Sequence, residues 1–219
     1  MKYYLLSAST NEKEIGAYFQ TEGLPKGYTS KWYDEPNSMT KLVDTSLPSF
    51  TPDLKWELKT EAILTDIISA GNITATGLLM STKARNVFQK HNLNQHKFHN
   101  SELIVNNNTI DYYYLQLVNR DFQDIDLEKS SFGITNAFRM KEGDIIITSY
   151  NDLVEKQKSL EFGSIINAEE IYIKNNHFDL FFFPLIHNDI FASERLLNNL
   201  SNNEITGYDA KEQHILYVN

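Results

Sequence analysis

A chain of 219 residues and 25.3 kDa can take about 70 % of its unfolded surface out of water, enough for a core without covalent staples; its 41 % hydrophobic and 22 % charged residues are those of a globular protein, which argues against disorder. It has no cysteine, which excludes disulfides, thiolate metal sites, iron–sulfur clusters and thiol catalysis, and it has no run of about 18 apolar residues to cross a bilayer. The net charge of −9 is uneven, at +1 over residues 1–100, −7 over 101–170 and −3 over 171–219; such a field disfavours nucleic acid and favours a basic partner.

Length alone predicts one domain, or two small ones packed together. Residues 1–10 hold one lysine and few apolar side chains, which does not read as a secretory signal, so the cytoplasm is the expected compartment. Lys2–Ser7 reads as an N-terminal strand. Residues 21–53 hold four of the five prolines together with Gly23 and Gly27, and read as loop. The expected division is therefore residues 1–50, a strand and a Pro/Gly-rich region packed on the main body, and residues 51–219, an α+β domain.

Alternation of Leu54, Trp56 and Leu58 with charged residues predicts a short half-buried strand. The spacing of Ala62, Ile63, Ile67 and Ile68 predicts a helix stopped at Gly71-Asn72. Ser81 is an N-cap for a second helix with Ala84, Val87, Phe88 and His91 on one face and Asn92 at its end. Asn106–Thr109 predicts a turn between strands Glu102–Val105 and Ile110–Val118. Asp144–Ser149 reads as a strand, and Asp152–Leu160 as a helix. Ile171, Ile173 and Asp179–Phe183 read as strands, Ser193–Leu200 as a helix, and Glu204–Tyr208 and Ile215–Val218 as closing strands joined by a polar turn. Hairpins and helices follow no regular βαβ alternation, so the expected class is α+β, mainly antiparallel sheets with a few short helices.

No G-x-S-x-G, Walker A, G-x-G-x-x-G or H-E-x-x-H motif is present. His91, His96 and His99 are the metal candidates, because neutral imidazole is a good zinc ligand. Three residues apart on an extended segment, however, side chains point to opposite faces, and a surface or helix-capping role is favoured. Asp121, Asp124, Asp126 and Glu128 could hold a cation or act as an acid/base pair. They interleave with Phe122, Ile125 and Leu127, which is the pattern of a half-buried strand with its acids outward, so an acidic edge facing a basic partner is favoured. Tyr112, Tyr113 and Tyr114 could offer aromatic contacts, although alternate tyrosines on a strand face the core. Phe181, Phe182 and Phe183 read as core, and His177 with Asp179 as a salt-linked turn.

Several phrases occur together in order: Thr65-Asp66-Ile67-Ile68, Gly77-Leu78-Leu79-Met80-Ser81 before Lys83-Ala84, His96-Lys97-Phe98, the strand at 110–118, Ile125-Asp126-Leu127-Glu128-Lys129-Ser130, Phe178-Asp179-Leu180-Phe181, Ser193-Glu194-Arg195-Leu196 and Ile205-Thr206-Gly207-Tyr208. Over roughly residues 40–210 this order resembles the immunity-eleven family of bacterial polymorphic toxin systems, long a domain of unknown function. Asn100 departs from the family pattern, where a proline is expected after His96-Lys97-Phe98. The resemblance implies a cytoplasmic antidote that binds a cognate toxin domain and blocks it without catalysis of its own; no cofactor is expected, and the acidic charge and the lack of a spanning apolar run point away from nucleic acid and membrane as partners. The phrases are mostly apolar or turn-forming and read as fold determinants, so they assign no contact residues. The acidic stretch Asp121, Asp124, Asp126 and Glu128, with Tyr112 and Tyr114, is the expected contact surface on charge and residue type. The rival readings are a small metal-dependent hydrolase using His91, His96 and His99, and a ligand-binding or scaffold module.

Overall fold

The structure is a computed structural model that describes residues 2–22, 24–25, 27–71, 73, 75–119, 124–174, 177–183 and 187–218. Strand β1 (Tyr3–Ala8) leads into a single helical turn, α1 (Glu12–Ile15), capped by the Asn11 side chain accepting from Lys13 N. The proline- and glycine-broken stretch makes two 3-10 turns at Ser30–Asp34 and Met39–Lys41. Then come β2 (Lys55–Glu57), β3 (Ile67–Ile68), β4 (Gly77–Ser81), α2 (Thr82–Phe88), β5 (His96–Val105) and β6 (Asn108–Leu117). The remainder is β7 (Ser131–Thr135), β8 (Lys141–Ile145), α3 (Tyr150–Ser159), β9 (Ile165–Ile173), β10 (Leu180–Phe183), β11 (His187–Ser193), α4 (Glu194–Asn202), β12 (Tyr208–Glu212) and β13 (Leu216–Val218).

The fold is α+β, with mainly antiparallel sheets and a few short helices. Among the described residues three sheets run β2-β5-β6-β4-β3, β10-β11-β1-β12 and β13-β9-β7-β8; the β2/β5 and β9/β13 strand pairs are parallel and the other strand pairs antiparallel. The chain's first strand is thus an inner strand, between β11 and β12 from the far end of the sequence. Strand alternation assigns each apolar residue to one of three cores. The five-stranded sheet turns Leu78, Met80, Leu115 and Leu117 toward α2 and α4, where they meet Leu180, Phe182, Ile190 and Ala192 from one face of the β1 sheet. The opposite face of that β1 sheet sends Tyr3, Phe181, Phe183 and Phe191 against Phe132, Ile166, Ile171 and Leu153 of the third sheet and α3. On the outer face of the five-stranded sheet, Trp56, Leu79, Leu103, Tyr112 and Tyr114 are covered by Trp32, Met39 and Leu42 from the loop stretch. Two of the sheets are therefore buried on both faces, which explains the unbroken apolar run Phe181-Phe182-Phe183.

Several expectations need correction. Residues 62–68 form no helix: Ile63 and Leu64 are exposed, and Ile67-Ile68 is strand β3, paired to Met80 and Leu79. The hydrogen bond from Ile67 N to Thr206 O draws this segment out of helical geometry. The strand near residue 144 lies at Lys141–Ile145. The closing strands do not form one hairpin. Glu204 leaves α4 at positive φ, the strand starts at Tyr208 and joins the β1 sheet, and β13 pairs in parallel with β9 in another sheet. The hairpin turn falls at Asn106-Asn107, both at positive φ as a two-residue hairpin requires, and its strands extend to ten residues each. Asn100 lies inside β5 opposite Tyr113, so no turn occurs there.

Candidate partner-binding surface

Several of the phrases picked out in the sequence converge on two carboxylates, Asp66 and Asp179. Asp66 Oδ1 accepts from Ser81 Oγ (2.6 Å), and its Oδ2 accepts from Thr206 N (3.2 Å) and faces Lys83 Nζ (3.6 Å). Three segments distant in sequence are thereby tied at the start of α2, where Ser81 Oγ also accepts from Ala84 N as the cap. Asp179, fully buried, accepts from Arg195 through Nε (3.0 Å) and Nη2 (2.6 Å), from Ser193 Oγ (2.6 Å) and from Asn92 N (3.0 Å). Burial alone would raise its pKa. The Arg195 fork, then Ser193, Asn92 and His91, hold it down at about 2. Asp179 therefore pairs with Arg195 and His91, and the expected link to His177 is replaced.

Ser193, Asp179 and His91 are three residue types of a nucleophilic triad, but their order is wrong for one. The histidine must stand between serine and aspartate. Here Asp179 stands between them: the Ser193 hydroxyl donates to the carboxylate and accepts from Leu196 N as the cap of α4. His91 is buried, with Nδ1 3.2 Å from Asp179 Oδ2 at poor hydrogen-bond geometry and Nε2 held by Asn199 Nδ2 (2.8 Å). The arrangement locks α2, β10 and α4 together. The other two histidines go elsewhere. His96 Nδ1 meets Asn94 O, and buried His99 meets Gln116 Oε1 (2.9 Å). Because Gln116 Nε2 donates to Val43 O, its oxygen faces the ring and His99 carries its proton on Nε2. Burial lowers the His99 pKa, with the hydrogen bond to Gln116 opposing. Among the described residues no group of three or more His, Asp or Glu is arranged to hold a metal ion.

The expected contact residues are dispersed. Tyr112 (4 % exposed) and Tyr114 (1 %) are core, and their hydroxyls donate to the carbonyls of Thr65 and Ala75. Both are thus removed from any surface, because β6 is covered on both faces, and desolvation raises both phenolic pKa values. Asp121 lies outside the described residues. Asp124 and Asp126 are half-buried and sit on an irregular segment, not on a strand: Ile125 makes an isolated bridge to Ile173, and Ser130 N closes a turn on Asp126 O. Asp126 is 3.8 Å from Lys129, and Glu128 is exposed. The expected alternation does hold at the side chains, with Ile125 buried and Leu127 packed on the same core.

A surface that residue patterns did not point to lies at one end of the third sheet. Phe138 (82 % exposed) and Met140 (59 %) project from the β7–β8 loop, Phe162 is fully exposed in the α3–β9 turn, and Ile165 (49 %) begins β9. Two contacts bring these segments together. Ile165 pairs with Thr135 across β7/β9, and Gly163 lies so close to Ala137 that a Cβ on it would stand 2.9 Å from the Ala137 Cβ. With about 150–250 Å² for each aromatic side chain, the four residues present on the order of 500 Å² of apolar surface, a size that commonly marks a contact site. Residues 135–145 and 161–170 hold five carboxylates and two cations, and one of these cations, Lys141, is bound by Asp144 (2.6 Å) and Glu169 (2.7 Å). The apolar tip therefore stands in an acidic surround.

No protein-family model matches the chain, and no curated protein matches it. Among the described residues no helix is long and apolar enough to cross a membrane.

Proposed function

We propose that this chain is an immunity protein that binds the toxic domain of a polymorphic toxin system in the cytoplasm and blocks it by occupancy, without chemistry of its own. The observation that carries the reading is the exposed apolar tip set among carboxylates, since a protein holds so much apolar surface in water where a partner covers it. The acidic surround suits a basic target such as a nuclease, whose encounter it would accelerate. The resemblance to the immunity-eleven pattern adds support: the phrases that carry it include Asp66 and Asp179, whose hydrogen bonds tie distant segments of this chain together, and none of them includes a residue of the tip.

The reading predicts that the gene lies directly downstream of a large gene whose product ends in a toxic domain. Expression of that domain in a sensitive host stops growth, and co-expression of this chain restores it. Toxicity that this chain does not relieve contradicts the pairing.

A further inference from the structure

We infer that the centre of the antidote contact is the apolar tip formed by Phe138, Met140, Phe162 and Ile165, and that its occupant is a basic protein surface of the toxin domain with an apolar recess at its middle. This rests on the antidote reading above. The tip has the anatomy of an interface, with large apolar anchors at the centre and charge at the rim. It is also pre-shaped. Asn136 Oδ1 accepts from Phe138 N (3.0 Å) and Met140 N (3.1 Å), and Asn136 N donates to Met140 O (3.0 Å), with Arg139 at φ +62°. The facing turn closes through Ser164 N to Glu161 O (3.0 Å), with Gly163 at φ +87° as the third residue of the turn requires. Gln157 of α3 holds the start of β9 by donating to Ser164 O (2.9 Å) and accepting from Ile166 N (2.8 Å). Anchors fixed before binding lose little entropy when a partner arrives.

Charge selects the occupant. Glu161 adjoins Phe162 and Glu142 reaches Ser164 Oγ (3.5 Å) beside the tip; farther along the sheet Asp144 and Glu169 already neutralise Lys141, which leaves Arg139 as the one other cation of these two segments. A basic surface gains from this rim, and an acidic one is repelled. The segment Asp124–Glu128 is too far away to share the contact. It meets β9 at Ile173, eight residues from Ile165 and so about 26 Å along the strand, beyond the roughly 8 Å over which charge acts at physiological salt.

The test measures binding of the purified full-length chain to the toxin domain of the preceding gene, at about 150 mM salt. Phe138→Asp and Phe162→Asp are each expected to weaken binding at least about 30-fold, and the double variant to lose protection, with unchanged thermal melting because both side chains are exposed. Phe138→Ser repeats the test without a new charge. Ile63→Ser, an exposed apolar residue away from the tip, and the pair Asp126→Asn with Glu128→Gln are expected to stay within about threefold of wild type. Wild-type binding retained by the double variant overturns the tip and leaves the antidote reading standing, as does a loss confined to the Asp126/Glu128 pair. A wild-type chain that does not bind the domain overturns both. Sedimentation showing a wild-type dimer that the double variant abolishes identifies the occupant as a second copy and overturns the basic partner.

Discussion

Replacing Asp179 by Asn tests the energetic account at its most connected residue. The carboxylate is fully buried and holds four donors from two segments, while Arg195 is 59 % exposed. Loss of the charge thus strands no buried cation, and the cost falls at the low end for a broken buried pair, about 3 kcal/mol. For a chain of this size that corresponds to a melting temperature lower by about 6–12 °C. The pH dependence supplies a second number. The folded pKa is depressed from 3.8 to about 2, so the stabilisation is fully present above the unfolded value and is lost as pH falls through the folded one. That difference corresponds to about 2 kcal/mol, so the gap between wild type and Asp179→Asn narrows progressively below about pH 4. Urea unfolding followed by the buried Trp32 and Trp56 at pH 7, 4.5 and 3 measures both. A variant within about 0.5 kcal/mol of wild type at pH 7, or a gap unchanged at pH 3, refutes the reasoning.

Three further outcomes follow from single residues. Gly207→Ala destabilises by about 3 kcal/mol or more in the same assay, because the residue sits at φ +83° and a Cβ there would overlap the Ile67 carbonyl oxygen. Asn107→Gly stabilises by roughly 0.5 kcal/mol, since Asn-Gly fits a two-residue hairpin with both φ values positive better than Asn-Asn does. His99 titrates below 6.5 in an NMR pH series, with its proton on Nε2 in the neutral form, so its burial favours folding less as pH falls below 6.5; a midpoint at or above 6.5 contradicts the buried, neutral ring.

The elements most legible in the sequence were those with a local physical signature. The caps at Ser81 and Ser193 lie where hydroxyls precede helical runs, and both accept from the backbone three residues on. The strand at 110–118 was legible from its β-rich composition, and its turn from paired asparagines. What failed depended on partners distant in sequence. Ala62, Ile63, Ile67 and Ile68 fit a helical spacing, yet Thr206 and Met80 hold Ile67 in a strand. Tyr112 and Tyr114 carry the composition of an interface, and only the loop stretch folded over β6 makes them core. The apolar tip left no periodic signal. Phe138 and Phe162 stand in two loops 24 residues apart, and the β7/β9 pairing and the Gly163–Ala137 contact bring those loops side by side. A run such as Phe-Arg-Met between a turn asparagine and a charged strand is a usable hint, because large apolar residues in loops have no core to enter.

The most direct measurement of the antidote claim is a calorimetric titration of this chain into the purified toxin domain, with the toxin's residual activity read at each point. Occupancy predicts heat that saturates at one chain per toxin domain and activity that falls in the same proportion. Inactivation complete at a small fraction of one equivalent would mean that this chain acts as a catalyst, and would contradict the account.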